Sequence, residues 1–274
     1  MFQNILEKKL KINFLNFSNC YAFEISDFLD DFQFSEIKNN LPDFKKKDIE
    51  SVNFKSNNKA DQHKNKIYMN ELDQENYKKF VNNNLILNEF AQIFKNPKMN
   101  NFFLRSLYFE ILKSRIYDPK NFIKFLLRKN LTVNKKSESF LHKIFYNDIY
   151  TTFEIAYMAN GAQSFPHTDG MKKILSLLLY FPDDDISEEQ SKNLGTSFYN
   201  SNEFNLTGKG KNKINSLEES DNFKKRNKII GTFPFKKKNL YGFIKSHKSW
   251  HSVEPFFIHD NFVRRNININ ILLV

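Results

Sequence analysis

The chain of 274 residues carries one cysteine, Cys20, so no intrachain disulfide can form and no metal site can be built from several thiolates. A lone thiol suits a reducing compartment. Long apolar runs are missing as well. The longest, Ile174 to Pro182, is far short of the ~20 residues that span a bilayer. The opening MFQNILEKKLKINFLNF is broken by lysines where a secretory signal would carry an uninterrupted apolar stretch. The expectation is a cytoplasmic protein with no membrane partner. Disorder is excluded by what is present: 40% hydrophobic residues, among them 31 phenylalanines, enough to close a substantial core.

The formal net charge is +11. An anionic polymer as partner would call for clustered lysine and arginine. Here the lysines are dispersed among asparagine, isoleucine and phenylalanine, so charge alone does not favour nucleic acid.

Residues 20–45 begin with a short aromatic strand-like piece. An amphipathic stretch follows, in which Phe32, Phe34, Ile37 and Leu41 recur at helical spacing, with Asp27 or Asp30 as cap and Pro42 as stop. Residues 50–66 read as a solvated loop, and 74–130 as two or three helices. From about residue 140 the pattern changes to short apolar runs bounded by Asn, Gly, Pro and Asp. Strands are expected at 151–158, 173–181, 195–199, 229–235, 239–244, 250–254 and 264–273. Seven short strands after a helical half suggest a mainly β, α+β architecture: a barrel or sandwich with helices on one face. The charged, apolar-poor stretch 205–228 reads as a long flexible loop inserted in it.

His167-Thr168-Asp169 sets an imidazole and a carboxylate two apart, and on a strand such residues share a face. Alone this spacing is weak, since a structural hydrogen-bonded pair is the commoner outcome. A third ligand has to come from a distant segment. Trp250-His251-Ser252-Val253-Glu254-Pro255 offers one, 82 residues after Asp169. Two imidazoles and a carboxylate make the facial triad that leaves three positions open on non-haem iron. Arg264 and Arg265 follow, and a guanidinium there could pair bidentately with a dicarboxylate co-substrate.

The segments YMANGAQSFPHTDG, ILSLLLYFPDD, LGTSFY, IIGTFPFKKKNLYGFIKSHKSWHSVEPF and RRNININILLV resemble successive strands of the 2-oxoglutarate/Fe(II)-dependent dioxygenase superfamily, above all its prolyl-hydroxylase-like branch. The opening YAFEISDFLDDFQFSEIKNNLPDF is similar to the strand-and-helix entry of those enzymes. The resemblance implies a double-stranded β-helix (jelly-roll) with an N-terminal helical layer on one sheet. It also implies Fe(II), with 2-oxoglutarate and O2 as co-substrates, and hydroxylation of a small-molecule or peptidyl substrate with release of succinate and CO2. In domain terms it implies one catalytic unit over 1–274, with a strand-and-helix support at 1–139 and the core at 140–274.

Carried over by position, His167, Asp169 and His251 match the metal ligands, with His247 as rival to His251. Tyr157, ten residues before His167, matches a tyrosine lining the co-substrate pocket, though a tyrosine of the barrel wall fits as well. Of the adjacent arginines only one can face inward. If Ile267, Ile269 and Ile271 pack under helices, then Arg264, Asn266, Asn268 and Asn270 line the interior; the opposite phasing puts Arg265 inside. Two other readings remain: a binding module that keeps the barrel without turnover, and an oxygenase acting on nucleic acid.

Overall fold

The computed structural model describes residues 1–49, 65–70, 74–118, 122–123, 125–126, 130–133, 146–183, 186–203 and 214–273. Among these, the α-helices are α1 (Gln3–Glu7), α2 (Asp31–Asn40), α3 (Gln74–Tyr77), α4 (Leu85–Lys95), α5 (Pro97–Ser106), α6 (Tyr108–Ser114), α7 (Glu188–Asn193) and α8 (Leu217–Arg226), and a π-helix at Lys78–Asn82 follows α3. The strands are β1 (Asn13–Leu15), β2 (Ala22–Ile25), β3 (Lys66–Asn70), β4 (Asn130–Val133), β5 (Tyr146–Ala159), β6 (Ser164–His167), β7 (Lys173–Tyr180), β8 (Thr196–Tyr199), β9 (Ile229–Phe233), β10 (Leu240–Ile244), β11 (His251–Val253) and β12 (Val263–Leu273). No helix among the described residues is long and apolar enough to cross a membrane.

The N-terminal helices start where the chemistry of their caps dictates. Asp30 accepts from the Gln33 amide while the Gln33 side chain accepts from the Asp30 amide, a reciprocal cap that sets the start of α2. The helix ends at Asn40, two residues before Pro42, which cannot continue it. In α4, Leu87, Phe90, Ala91 and Phe94 recur on one buried face. The Phe90 ring meets Phe2 and, in β5, Phe153.

An eight-stranded sheet runs β1-β2-β10-β7-β12-β5-β3, with β4 also against β5, and all pairings but β4 with β5 are antiparallel. A four-stranded sheet runs β6-β11-β8-β9. The N-terminal helices α1, α2, α4, α5 and α6 lie on one face of the large sheet, sharing a core with Phe153, Ile155, Leu177, Leu179, Ile267, Ile269 and Ile271. On the opposite face, Met158, Leu178 and Phe243 meet Phe198, Phe233 and Val253 of the small sheet. Because side chains alternate along a strand, the isoleucines of β12 pack under helices while Arg264, Asn266, Asn268 and Asn270 line a pocket between the sheets. A one-residue register slip would exchange the two sets.

The stretch 205–228 differs from the loop expected of it. Residues 204–213 lie outside the described residues, but Leu217–Arg226 is a helix. Ser216 caps it, Glu218 and Glu219 occupy its first turn and Lys224, Lys225 and Arg226 its last, so its charges oppose the helix dipole at both ends. Phe223 anchors it against Trp250 and Tyr199, and Lys224 pairs with Glu254 at 2.7 Å.

Candidate metal centre

His167 ends β6 and His251 begins β11, and the two are partners in the antiparallel register. Directly opposed residues project from the same face, so the imidazoles meet, with ring centroids 4.3 Å apart. Each ring is aimed by its other nitrogen. His167 Nδ1 lies 2.8 Å from the Phe165 carbonyl, and His251 Nδ1 lies 2.9 Å from the Ser249 carbonyl. A carbonyl can only accept, so each Nδ1 carries the proton and each Nε2 keeps its lone pair for a metal.

Asp169 lies beyond the end of β6 rather than on it, so strand periodicity does not place it. Its Oδ1 is 3.9 Å from His167 Nε2 and its Oδ2 is 3.9 Å from His251 Nε2. The three ligand atoms fall within 4.8 Å of one another. An ion with bonds of about 2.1 Å could hold all three after a small contraction. Ser176 Oγ, 3.2 Å from Oδ2, and Lys173 Nζ, 2.9 Å from Oδ1, orient the carboxylate. Burial pushes the Asp169 carboxyl up, but Lys173, then His251 and His167, outweigh it and hold it well below the usual carboxylate range. Burial lowers the His251 pKa against the pull of Asp169. Metal binding requires the carboxylate ionised and both imidazoles neutral, and the lowered Asp169 and His251 both lean in that direction.

The three candidate ligands and Arg264 line one cavity of about 180 Å³. Arg264 is fully buried; its Nε donates to the Leu194 carbonyl and its Nη1 to Asn266 Oδ1, and its guanidinium lies 5.1 Å from the centre of the Tyr180 ring. Its Nη2 has no hydrogen-bond partner and the side chain no carboxylate partner among the described residues. A buried guanidinium without an anion is costly, and a ligand carboxylate would complete it.

Arg265 points the other way and pairs with Asp183 at 2.7 Å, beside Lys38. Tyr157 also faces the helices: it packs edge-on against Phe44 and is absent from the cavity lining, which corrects its assignment to the co-substrate pocket. The reason is the pleat, since Glu154, Ala156 and Met158 of β5 take the inward positions. The tyrosine that does reach the cavity from a neighbouring strand is Tyr68 of β3, paired in register with Ala156. The His247 ring lies tilted against Tyr117, outside the ligand group.

Sequence reading also missed Lys173, Ser176 and Glu154. Inside the cavity, Asn266 donates to Asn268, and Asn268 and Asn70 donate to Glu154, so an amide ladder runs from Arg264 to that carboxylate. The signal for it is the alternation NININ in β12, whose asparagines face inward. The residues present therefore fit a divalent ion at the triad and a carboxylate at Arg264.

No protein family and no characterised protein matches the chain in sequence. Among solved structures, a viral collagen prolyl hydroxylase from Paramecium bursaria Chlorella virus-1 is 11% identical with a TM-score of 0.41, covering 93% of this chain and 91% of that one. A Pseudomonas putida prolyl-4-hydroxylase is 12% identical with a TM-score of 0.28, covering 44% and 48%. AviO1 from Streptomyces viridochromogenes Tue57 is 7% identical with a TM-score of 0.27, covering 46% and 51%. The match thus spans about half the length of the Pseudomonas and Streptomyces proteins. The chain is similar to prolyl hydroxylases at low identity, and at these TM-scores the likeness carries no residue role across to it.

Proposed function

We propose that this protein is an Fe(II)- and 2-oxoglutarate-dependent dioxygenase, built as a single catalytic unit on a double-stranded β-helix. In the proposed reaction a substrate C–H bond, 2-oxoglutarate and O2 become C–OH, succinate and CO2. The substrate would be a small molecule or a peptidyl side chain. A reducing, cytoplasmic setting would suit both the ferrous ion and the buried Cys20. The observation that carries this reading is one cavity holding both a two-His-one-carboxylate group and a buried arginine with no carboxylate partner among the described residues.

His167, Asp169 and His251 would hold the ion. Bound Fe(II) would supply the electrons for O2 activation, coupled to decarboxylation of the co-substrate. The other residues bind and orient. Arg264 would take the distal carboxylate of 2-oxoglutarate through its free Nη2, while Asn266 fixes the guanidinium plane. Phe165 and Ser249 carbonyls keep both imidazoles in the metal-binding tautomer. Phe198 and Phe243 stand beside His251 and keep bulk water from that side of the centre.

Adding 2-oxoglutarate without oxygen to the Fe(II)-loaded protein should produce a visible charge-transfer band. His167→Ala should remove the band and the succinate released when oxygen is admitted. A wild-type protein that binds iron but never develops the band would overturn the reading in favour of a binding module.

A further inference from the structure

The ammonium of Lys173 and a metal ion would draw on the same carboxylate. Lys173 Nζ lies 2.9 Å from Asp169 Oδ1, with both side chains largely enclosed. That oxygen is also the one nearest His167 Nε2. Among the described residues, no other carboxylate comes within ion-pair distance of Lys173.

The backbone beneath this lysine is fixed. Buried Arg115 donates from Nη1 to the Met171 carbonyl at 2.7 Å and from Nη2 to the Lys173 carbonyl, and the Lys173 amide donates to the Gly170 carbonyl. The side chain alone is left to move, and it borders the cavity.

We infer that Lys173 sets the metal affinity of this centre: its ammonium balances Asp169 in the metal-free protein and yields the carboxylate to the ion on binding. The inference rests on the proposed metal centre. A buried carboxylate needs a partner, and removing that partner leaves an uncompensated charge. With a divalent ion in place the ammonium is surplus, repelled at a separation of a few ångströms in a poorly hydrated pocket. A neutral side chain at 173 therefore destabilises the metal-free form and relieves the loaded one. Affinity is the difference between those states, so both changes tighten binding.

The chain's one tryptophan, Trp250, adjoins His251 in sequence, so quenching of its emission by Co(II) should report binding without turnover. Lys173→Met should bind Co(II) at least tenfold more tightly than wild type. Its melting temperature should fall without metal and rise by more than the wild-type increment on adding Co(II). A merely structural lysine would lower both temperatures alike. Lys173→Arg, which keeps the charge, should bind as wild type does. Should the methionine variant not fold, Lys173→Gln serves in its place. Co(II) binding by the neutral variant that is equal to or weaker than wild type would overturn the inference. His167→Ala tests the centre separately: if it binds Co(II) as wild type does, the metal-centre reading fails whatever Lys173 does.

Discussion

Two adjacent arginines differ here only by the pleat of β12, yet their partners could hardly be less alike. Arg264 is enclosed, with aromatic rings beside it and no carboxylate partner among the described residues; Arg265 sits over Asp183 at the rim of the helical layer. Arg264→Lys keeps a charge but loses the planar fork, so the affinity for 2-oxoglutarate should drop at least tenfold when titrated by the charge-transfer band. Arg265→Lys should leave that titration unchanged and alter stability by less than about 1 kcal/mol, as expected of a partly exposed ion pair. Tyr157 gives a third comparison. Its hydroxyl is buried with no hydrogen-bond partner among the described residues, and burial pushes its pKa up. Tyr157→Phe removes an unsatisfied polar group, so the denaturation midpoint should hold or rise while co-substrate binding stays the same. Weakened binding in Tyr157→Phe would return this tyrosine to the pocket.

At the scale of elements, helix α8 shows what kind of pattern escapes a reading by hydrophobic period. Leu217 and Phe223 are its apolar residues, and Leu217 is exposed, so no stripe at 3.6-residue spacing exists to be read. The information lies instead in the Ser216 cap and in acidic and basic residues sorted to opposite ends. Strand β6 was hidden for a related reason: SFPH is four residues long and contains a proline. Strand β3 alternates, but with its sense inverted, Tyr68 lining the cavity while Ile67 and Met69 pack toward the helices. By contrast β12 is legible, because Asn266 to Ile271 alternate strictly between asparagine and isoleucine and leave few alternatives for which face is buried. The two histidines were legible as chemistry but not as geometry. Their meeting depends on a cross-strand register that only the folded sheet defines. If α8 owes its position to one anchor, Phe223→Ala should cost about 3–5 kcal/mol in denaturant unfolding. Trp250, which loses its ring neighbour, should then emit further to the red; an unchanged spectrum and midpoint would mean that the helix contributes nothing to this face of the small sheet.

Over the whole molecule, buried ionisable groups give stability an unusual dependence on pH. Lys245 is almost fully enclosed, and burial lowers its pKa from 10.5 to about 7; Asp169 opposes that lowering, while Arg115 and Lys173 add to it. Between about pH 7 and pH 10 the unfolded chain holds a proton at this lysine that the native chain has released, so stability rises with pH. Tyr68, Tyr157, Tyr180, Tyr199 and Tyr241 act in the opposite sense. Burial raises the pKa of each above 10, so beyond that pH the unfolded chain sheds protons that the native chain retains, and stability falls. The two effects together place the optimum near the alkaline end of the range, between the charging of one lysine and the ionisation of five tyrosines. The gain from about pH 7 upward should be on the order of a few kcal/mol, since a tenfold change in a proton-binding constant is worth about 1.4 kcal/mol. Urea midpoints measured across that range should climb for the wild type and stay level for Lys245→Met, whereas the fall above about pH 10 should persist in both. A methionine variant that retained the rising limb would assign it to some group other than Lys245.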